Sequence, residues 1–243
     1  MAPSTVYSRY YYFGYDHVMN QYKVLAMTIY WQELTQNFHV FTLGRDFHQW
    51  RNIQGNIDEK FIPIGRAGVC IDGIIYYEAI SSKESFNYRK TMLLSFDIRS
   101  ERFYHVRAPD TWINEISDPN WTDQNLFNHQ GKLGCIGCNE NNTNMWIMEN
   151  VEKQEWSKIT FGLLKYPGGD FSTSSGVTPA GEIFVVQHVW YPYNMPLYFD
   201  YYNMKEKSFR RVEIEGARLE ATKQAGGIRV FAIHDYVENT MWF

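Results

Sequence analysis

Cys135 and Cys138, in the tetrad CIGC, come nearest in this sequence to a chemical motif: two thiols at that separation make half of a zinc site or a dithiol redox pair. A closed zinc site needs four ligands, and no second CxxC and no HxxxH follows. A redox pair normally sits at a helix N-terminus, whereas these residues flank an expected β turn, so both are expected to be structural thiols. The histidines His17, His39, His48, His105, His129, His188 and His234 are scattered without ligand spacing. Carboxylates such as Asp97, Glu101, Glu152 and Glu155 fall in a turn that recurs along the chain, where they hold the turn and keep strand ends solvated. Asn120-Trp121-Thr122 and Asn141-Asn142-Thr143 match the N-glycosylation acceptor, which matters only in a secreted protein. No GxSxG, P-loop, HExxH or GxGxxG occurs. No catalytic, cofactor-binding or metal-ligating residue is therefore expected, and no cofactor.

The elements that carry these residues read as strands. Met92 to Val106, MLLSFDIRSERFYHV, is an apolar run, a polar turn and a second strand, with Phe96 and Phe103 flanking the turn. The pattern recurs: Trp50, Phe103, Trp156 and Phe209 stand at a constant interval of 53 residues, and Ile53, Val106, Ile159 and Val212 sit three positions after them. A period near 50 with several short strands per repeat is the spacing of kelch-like propeller blades. In chain order, residues 10–25 form two strands around the turn Asp16 to Gln21, and FHVFTLGRDFHQWRNI supplies a second hairpin. The next unit opens at Gly68 with Asp72-Gly73 between apolar runs, a strong signal for a type I′ hairpin. The third unit reads 126–137 and 145–159, and the fourth 176–189 and 197–214. Two strands are left at Gly227 to Phe243, a half unit that needs partner strands, which Ser4 to Phe13 is expected to supply. Ala217 to Gln224 is the best candidate for a short helical turn. The expected fold is all-β: a kelch-like propeller or partial propeller of four-stranded antiparallel blades, about four and a half of them, in a single domain over residues 1–243.

Composition narrows the class. Hydrophobic content of 44% and aromatic content of 17% suffice for a core, and a net charge of −4 gives no basic footprint for nucleic acid. No signal-like h-region and no run long enough to span a membrane is present, so neither nucleic acid nor membrane is an expected partner. Three cysteines are too few for a disulfide framework. A cytoplasmic or nuclear location is the expectation.

The aromatic residues fall into two sets. Those in phase with the repeat are expected between blades, as core. Trp112, Trp121, Trp190, Tyr191 and Tyr193 lie out of phase, in the connections Pro109 to Asn125 and Val189 to Pro196. Trp and Tyr offer large contact area at low entropic cost, so these five are the candidate partner-binding residues.

FGYDHVMNQYKVL, GVCIDGIIYY, LLSFDIRSERF and MWIMENVEKQEWSKI together resemble the type 3 F-box-associated domain of plant F-box proteins. The resemblance runs from about Tyr10 to the closing IHDYVENTMWF. It implies a propeller-like repeat domain that holds the substrate protein of a cullin-type ubiquitin ligase, while an F-box docks on the adaptor. MAPSTVYSR, the stretch ahead of the first matched strand, would make barely two helical turns, so adaptor binding by this chain alone is not expected. The expected function is a non-enzymatic protein-binding module whose partner is an unidentified substrate protein. The alternatives are a truncated copy with no ligase role and a propeller enzyme acting on glycans, which would need a carboxylate pair or a His/Tyr metal set converging from several blades.

Overall fold

The structure is a computed structural model that describes residues 6–30, 35–43, 50–64, 68–81, 91–115, 126–138, 142–162, 173–178, 180–187, 196–203 and 205–218. Its first sheet follows from the opening sequence. β1 (Val6–Asp16) and β2 (Gln21–Tyr30) pair antiparallel, with Tyr12 opposite Leu25 and Tyr15 opposite Tyr22. β3 (Gln36–Thr42) and β4 (Arg51–Ile53) complete the order β1-β2-β3-β4.

The second sheet contains β5 (Phe61–Pro63), β6 (Val69–Ile71), β7 (Ile74–Ser81), β8 (Thr91–Asp97) and β9 (Arg102–Val106). β5 and β6 both pair with β7, so the outermost strand of a four-stranded plan is present in two pieces. Pro63 is tolerated there because an edge strand does not need every N–H. A short helix, α1 (Asp110–Glu115), follows where the sequence reading expected only a loop.

β10 (Leu126–His129), β11 (Lys132–Cys138), β12 (Asn142–Asn150) and β13 (Glu155–Gly162) form the third sheet. β14 (Thr173–Val177), β15 (Glu182–Gln187), β16 (Pro196–Asn203) and β17 (Ser208–Arg218) form the fourth. Ala217 and Arg218 belong to β17, so the expected helical turn does not begin there. The expected half unit at 227–243 lies outside the described residues. Its expected partner segment runs from Val6 onward in β1, an edge strand of the first sheet, and the pairing itself lies outside the described residues.

Three of the aromatics at the 53-residue interval, Phe103, Trp156 and Phe209, follow one repeated turn. Asp97 Oδ1 accepts the N–H groups of Arg99 and Ser100, Asn150 Oδ1 that of Lys153, and Asn203 Oδ1 those of Lys205 and Glu206. Each turn ends on a residue with positive φ, Glu101 (55°), Gln154 (53°) and Lys207 (51°), before the chain enters β9, β13 or β17. A short acceptor that bonds the backbone two or three residues on is the usual use of Asp and Asn in turns. Asp16 and Asn20 make the same turn in the first sheet, but between its first two strands. Asp72 (φ 49°) and Gly73 (φ 79°), like Gln130 (53°) and Gly131 (81°), have the paired positive φ that the type I′ reading required.

The chain packs as two compact units, residues 1–124 with 148–157, and residues 125–147 with 158–243. In the first, Tyr12, Leu25, Met27, Phe38 and Val40 of the first sheet meet Phe61, Ile75, Tyr77, Leu94, Phe96 and Phe103 of the second in one apolar cluster. In the second, Phe127, Ile136, Met145, Ile147 and Ile183 form a separate cluster. The in-phase aromatics do not share one environment. Phe103 is buried, with its ring centroid 4.7 Å from those of both Phe38 and Phe96. Trp156 is half-buried, and Trp50 and Phe209 are 48% and 49% exposed, so the expectation of four equivalent core residues is corrected to one.

Candidate functional site

β1 is built on a strict alternation: Tyr10, Tyr12, Gly14 and Asp16 turn inward, and Tyr7, Arg9, Tyr11, Phe13 and Tyr15 are exposed. Inward residues reach the second sheet. Tyr12 stacks on Tyr77 at 4.9 Å, and a Cβ on Gly14 would meet Ile75 and Ile98 at 3.1 Å, so only glycine allows that approach without displacing them.

Register carries the outward set across the sheet. Phe13 lies opposite Val24, Tyr15 opposite Tyr22, and Val24 opposite Phe41. The rings interlock: Phe13 and Tyr22 are 5.3 Å apart between centroids, Tyr15 and Tyr22 4.6 Å, and Phe41 and Trp50 5.3 Å. Tyr15 also donates its hydroxyl hydrogen to Asn20 Oδ1 at 2.7 Å. With roughly 200 Å² of surface per fully exposed aromatic side chain, Tyr7, Tyr11, Phe13, Tyr15 and Trp50 leave about 500 Å² of aromatic surface open, at exposures of 36% to 57%. That lies near the upper end of what a monomeric protein usually shows as one apolar patch. Among the described residues of this face the only charged side chain is Arg9, and His39 of β3 lies across Ala26 of β2 from Tyr11; no carboxylate is present.

The sheet that displays these rings is tied to its neighbour by charge. Asp16 accepts from Arg99 Nη2 at 2.8 Å as well as from its own turn. The Arg99 hydrogen bond, helped by those backbone donors and opposed by burial, holds the Asp16 carboxyl down at about 2. Lys23 donates to Ile98 O at 2.6 Å and to Glu101 Oε1 at 2.9 Å, and Arg51 grips Glu101 with both terminal nitrogens, at 2.6 and 3.0 Å. Burial pushes the Glu101 carboxyl up, but the bonds from Arg51 and Lys23 outweigh it and leave the group below its ordinary range. Asn56 pairs with both backbone groups of Phe103, at 2.9 and 2.7 Å. These interactions fix the first sheet on the second and hold the outer face as a preorganised surface.

The residues expected from sequence to bind a partner are placed differently. Trp112 is 0% exposed in α1, so it offers no contact area; the apolar mass that made it a candidate is spent on packing. Trp121, Trp190, Tyr191 and Tyr193 lie outside the described residues. Cys135 and Cys138 lie within one strand, β11, rather than at a turn, and Cys135 is buried. No group of three or more His, Cys, Asp or Glu able to hold a metal ion occurs among the described residues. The outer face of the first sheet was missed because VYSRYYYFGY is aromatic at both parities, so hydropathy hides the alternation. The usable signal was Ser8, Gly14 and Asp16 on one parity against Tyr7, Tyr11, Phe13 and Tyr15 on the other.

Comparison with known proteins gives a consistent kinship. The profile of the family described as the F-box associated beta propeller domain matches residues 3–237. An F-box protein of Arabidopsis thaliana is 66% identical over 233 residues, which cover 95% of this chain and 53% of that protein. A putative F-box protein of the same plant is 38% identical over 229 residues, 94% of this chain and 57% of its own length. The chain thus spans about half the length of these curated relatives. Among solved structures, a subtype N11 neuraminidase-like protein of A/flat-faced bat/Peru aligns over 87% of this chain and 74% of its own, at 9% identity and a TM-score of 0.40.

Proposed function

The chain belongs to the F-box associated beta propeller domain family, and from that premise we propose that it is a protein-binding module that holds the substrate protein of a cullin-type ubiquitin ligase. The family is one of protein-interaction domains and not an enzyme family. In this reading the four-stranded sheets act as blades of a propeller-like, kelch-related scaffold within a single domain. The family description and the repeated Asx turn support it. No helix among the described residues is long and apolar enough to cross a membrane. The working site is assigned to the cytoplasm or nucleus, where F-box ligases act. Adaptor docking belongs to an F-box and is not among the functions proposed for residues 3–237.

The observation that carries the proposal is the outer face of the first sheet: exposed Tyr, Phe and Trp side chains, held rigidly from behind, without a carboxylate among the described residues. Aromatic anchors with little rotamer freedom contribute most of the affinity in protein interfaces. Trp121, Trp190, Tyr191 and Tyr193 stay in the proposal as candidate contact residues on the ground of their sequence alone; Trp112 leaves it. The test is capture of interacting proteins from the native tissue by the full chain and by a Tyr11→Ser/Phe13→Ser variant, quantified by mass spectrometry. The expected result is a loss of about tenfold or more for the specific partner, equivalent to at least about 1.4 kcal/mol. Undiminished capture by the variant overturns the assignment to this face.

A further inference from the structure

We propose that the outer face of the first sheet also takes a second copy of this chain, in a two-fold dimer that competes with the partner protein for the same rings. The inference shares its surface with the function proposed above but does not depend on that partner.

Three observations favour a copy of the chain as occupant. The first is area. The exposed aromatics alone present about 500 Å², and adding half-buried Tyr22 and Phe41 with the polar margin of Arg9, His39 and Asn52 brings the face towards the ~800 Å² per partner of a standard interface. The second is shape. A regular sheet face of paired rows packs on another sheet face with strand directions within about 30°, and this one has unbroken register from Arg9–Thr28 to Tyr15–Tyr22.

The third is charge. The chain carries a net charge of −4, but the described residues of this face contribute no negative charge, so two copies meet there without like-charged carboxylates. Arg9 lies on one side of Tyr11 in β1, and Phe13 and Tyr15 lie on the other. A two-fold axis near Tyr11, in the interface and perpendicular to β1, brings the guanidinium of each copy over the rings of the other, since in an isologous contact residue i meets j and j meets i.

Sedimentation velocity on the purified 243-residue chain, from about 1 to about 100 μM, tests this without any partner protein. The expected result is a saturating monomer–dimer equilibrium. Phe13→Glu should raise the dimer dissociation constant by at least about tenfold, because it places a carboxylate on the face of each copy. Phe13 is 57% exposed, so the variant should fold, as circular dichroism will show; Tyr11→Ser serves in its place if it does not. Phe209→Glu, at an exposed residue of the other unit, should leave the equilibrium unchanged. A chain that stays monomeric throughout, association that ignores the face variants, or growth beyond a dimer would each overturn the proposal. The capture experiment fails or succeeds independently: undiminished capture by the Tyr11→Ser/Phe13→Ser variant, beside a dimer that Phe13→Glu weakens, rejects only the function, and a chain that stays monomeric but loses its partner in that variant rejects only the dimer.

Discussion

Asp16 and Phe103 show two ways in which a single side chain holds the first unit. The Asp16 carboxylate is bonded by Arg99, then by the Val18 and Met19 amides, and titrates at about 2 rather than at its ordinary 3.8. A depressed folded value means that the stabilisation is fully present above the ordinary pKa and is lost as pH falls through about 2. Acid unfolding followed by tryptophan fluorescence should show wild-type stability falling between about pH 4 and pH 2, with a shallower fall for Asp16→Asn. Phe103 is a buried ring among rings, so Phe103→Ala should cost about 3–5 kcal/mol in a urea titration. Trp156, expected from the repeat to behave alike, is half-buried, and its indole N–H donates to Arg107 O at 2.8 Å. Trp156→Ala should therefore cost only about 1–2 kcal/mol, for partial apolar burial and one hydrogen bond. Glu152→Ala, in an exposed turn, should change stability by less than about 0.5 kcal/mol.

Turns are the elements that recur most faithfully. Asp97, Asn150 and Asn203 each bond the backbone amides just ahead, and Glu101, Gln154 and Lys207 each take positive φ. The turn fixes the aromatic two residues past its positive-φ residue, so Phe103, Trp156 and Phe209 keep one place in the repeat without sharing an environment. The β10–β11 turn isolates the backbone effect: a Cβ on Gly131 would meet nothing within 4 Å, but its φ is +81°. Gly131→Ala should then destabilise the protein by about 1–2 kcal/mol through backbone strain alone, measured by thermal denaturation. Gly134 in β11 is the steric counterpart, since a Cβ there would run into the ring of Phe127.

Protection across the molecule should follow burial. β8 is buried at every position from Thr91 to Phe96 and β7 at most of its length, so both faces of these strands are covered. In the other unit, residues 208–213 of β17 are all exposed. Hydrogen exchange read by mass spectrometry should show β7 and β8 exchanging slowest and the start of β17 at least about tenfold faster, because local opening there uncovers little apolar surface. Equal rates in the two would contradict the burial pattern.

Local chemistry settled much of this fold before any packing was considered. Asp72-Gly73 between apolar strands favours a type I′ turn, because glycine takes positive φ freely and Asp tolerates it better than most residues, and both positions have positive φ here. The antiparallel hairpins at Met92 to Val106 and Met145 to Ile159, and the kinship of the chain, were legible for the same reason. Burial was not. Phe103 and Phe209 hold the same place in the repeat, but one is enclosed by Phe38, Phe61 and Phe96 and the other faces solvent. Which neighbours surround a ring depends on residues far apart in sequence coming together, and periodicity carries no record of them. Trp112 was drawn into the interior by that packing, and Tyr11, Phe13 and Tyr15 were left outside because Tyr12 and Gly14 are the residues that fit against Tyr77 and Ile75.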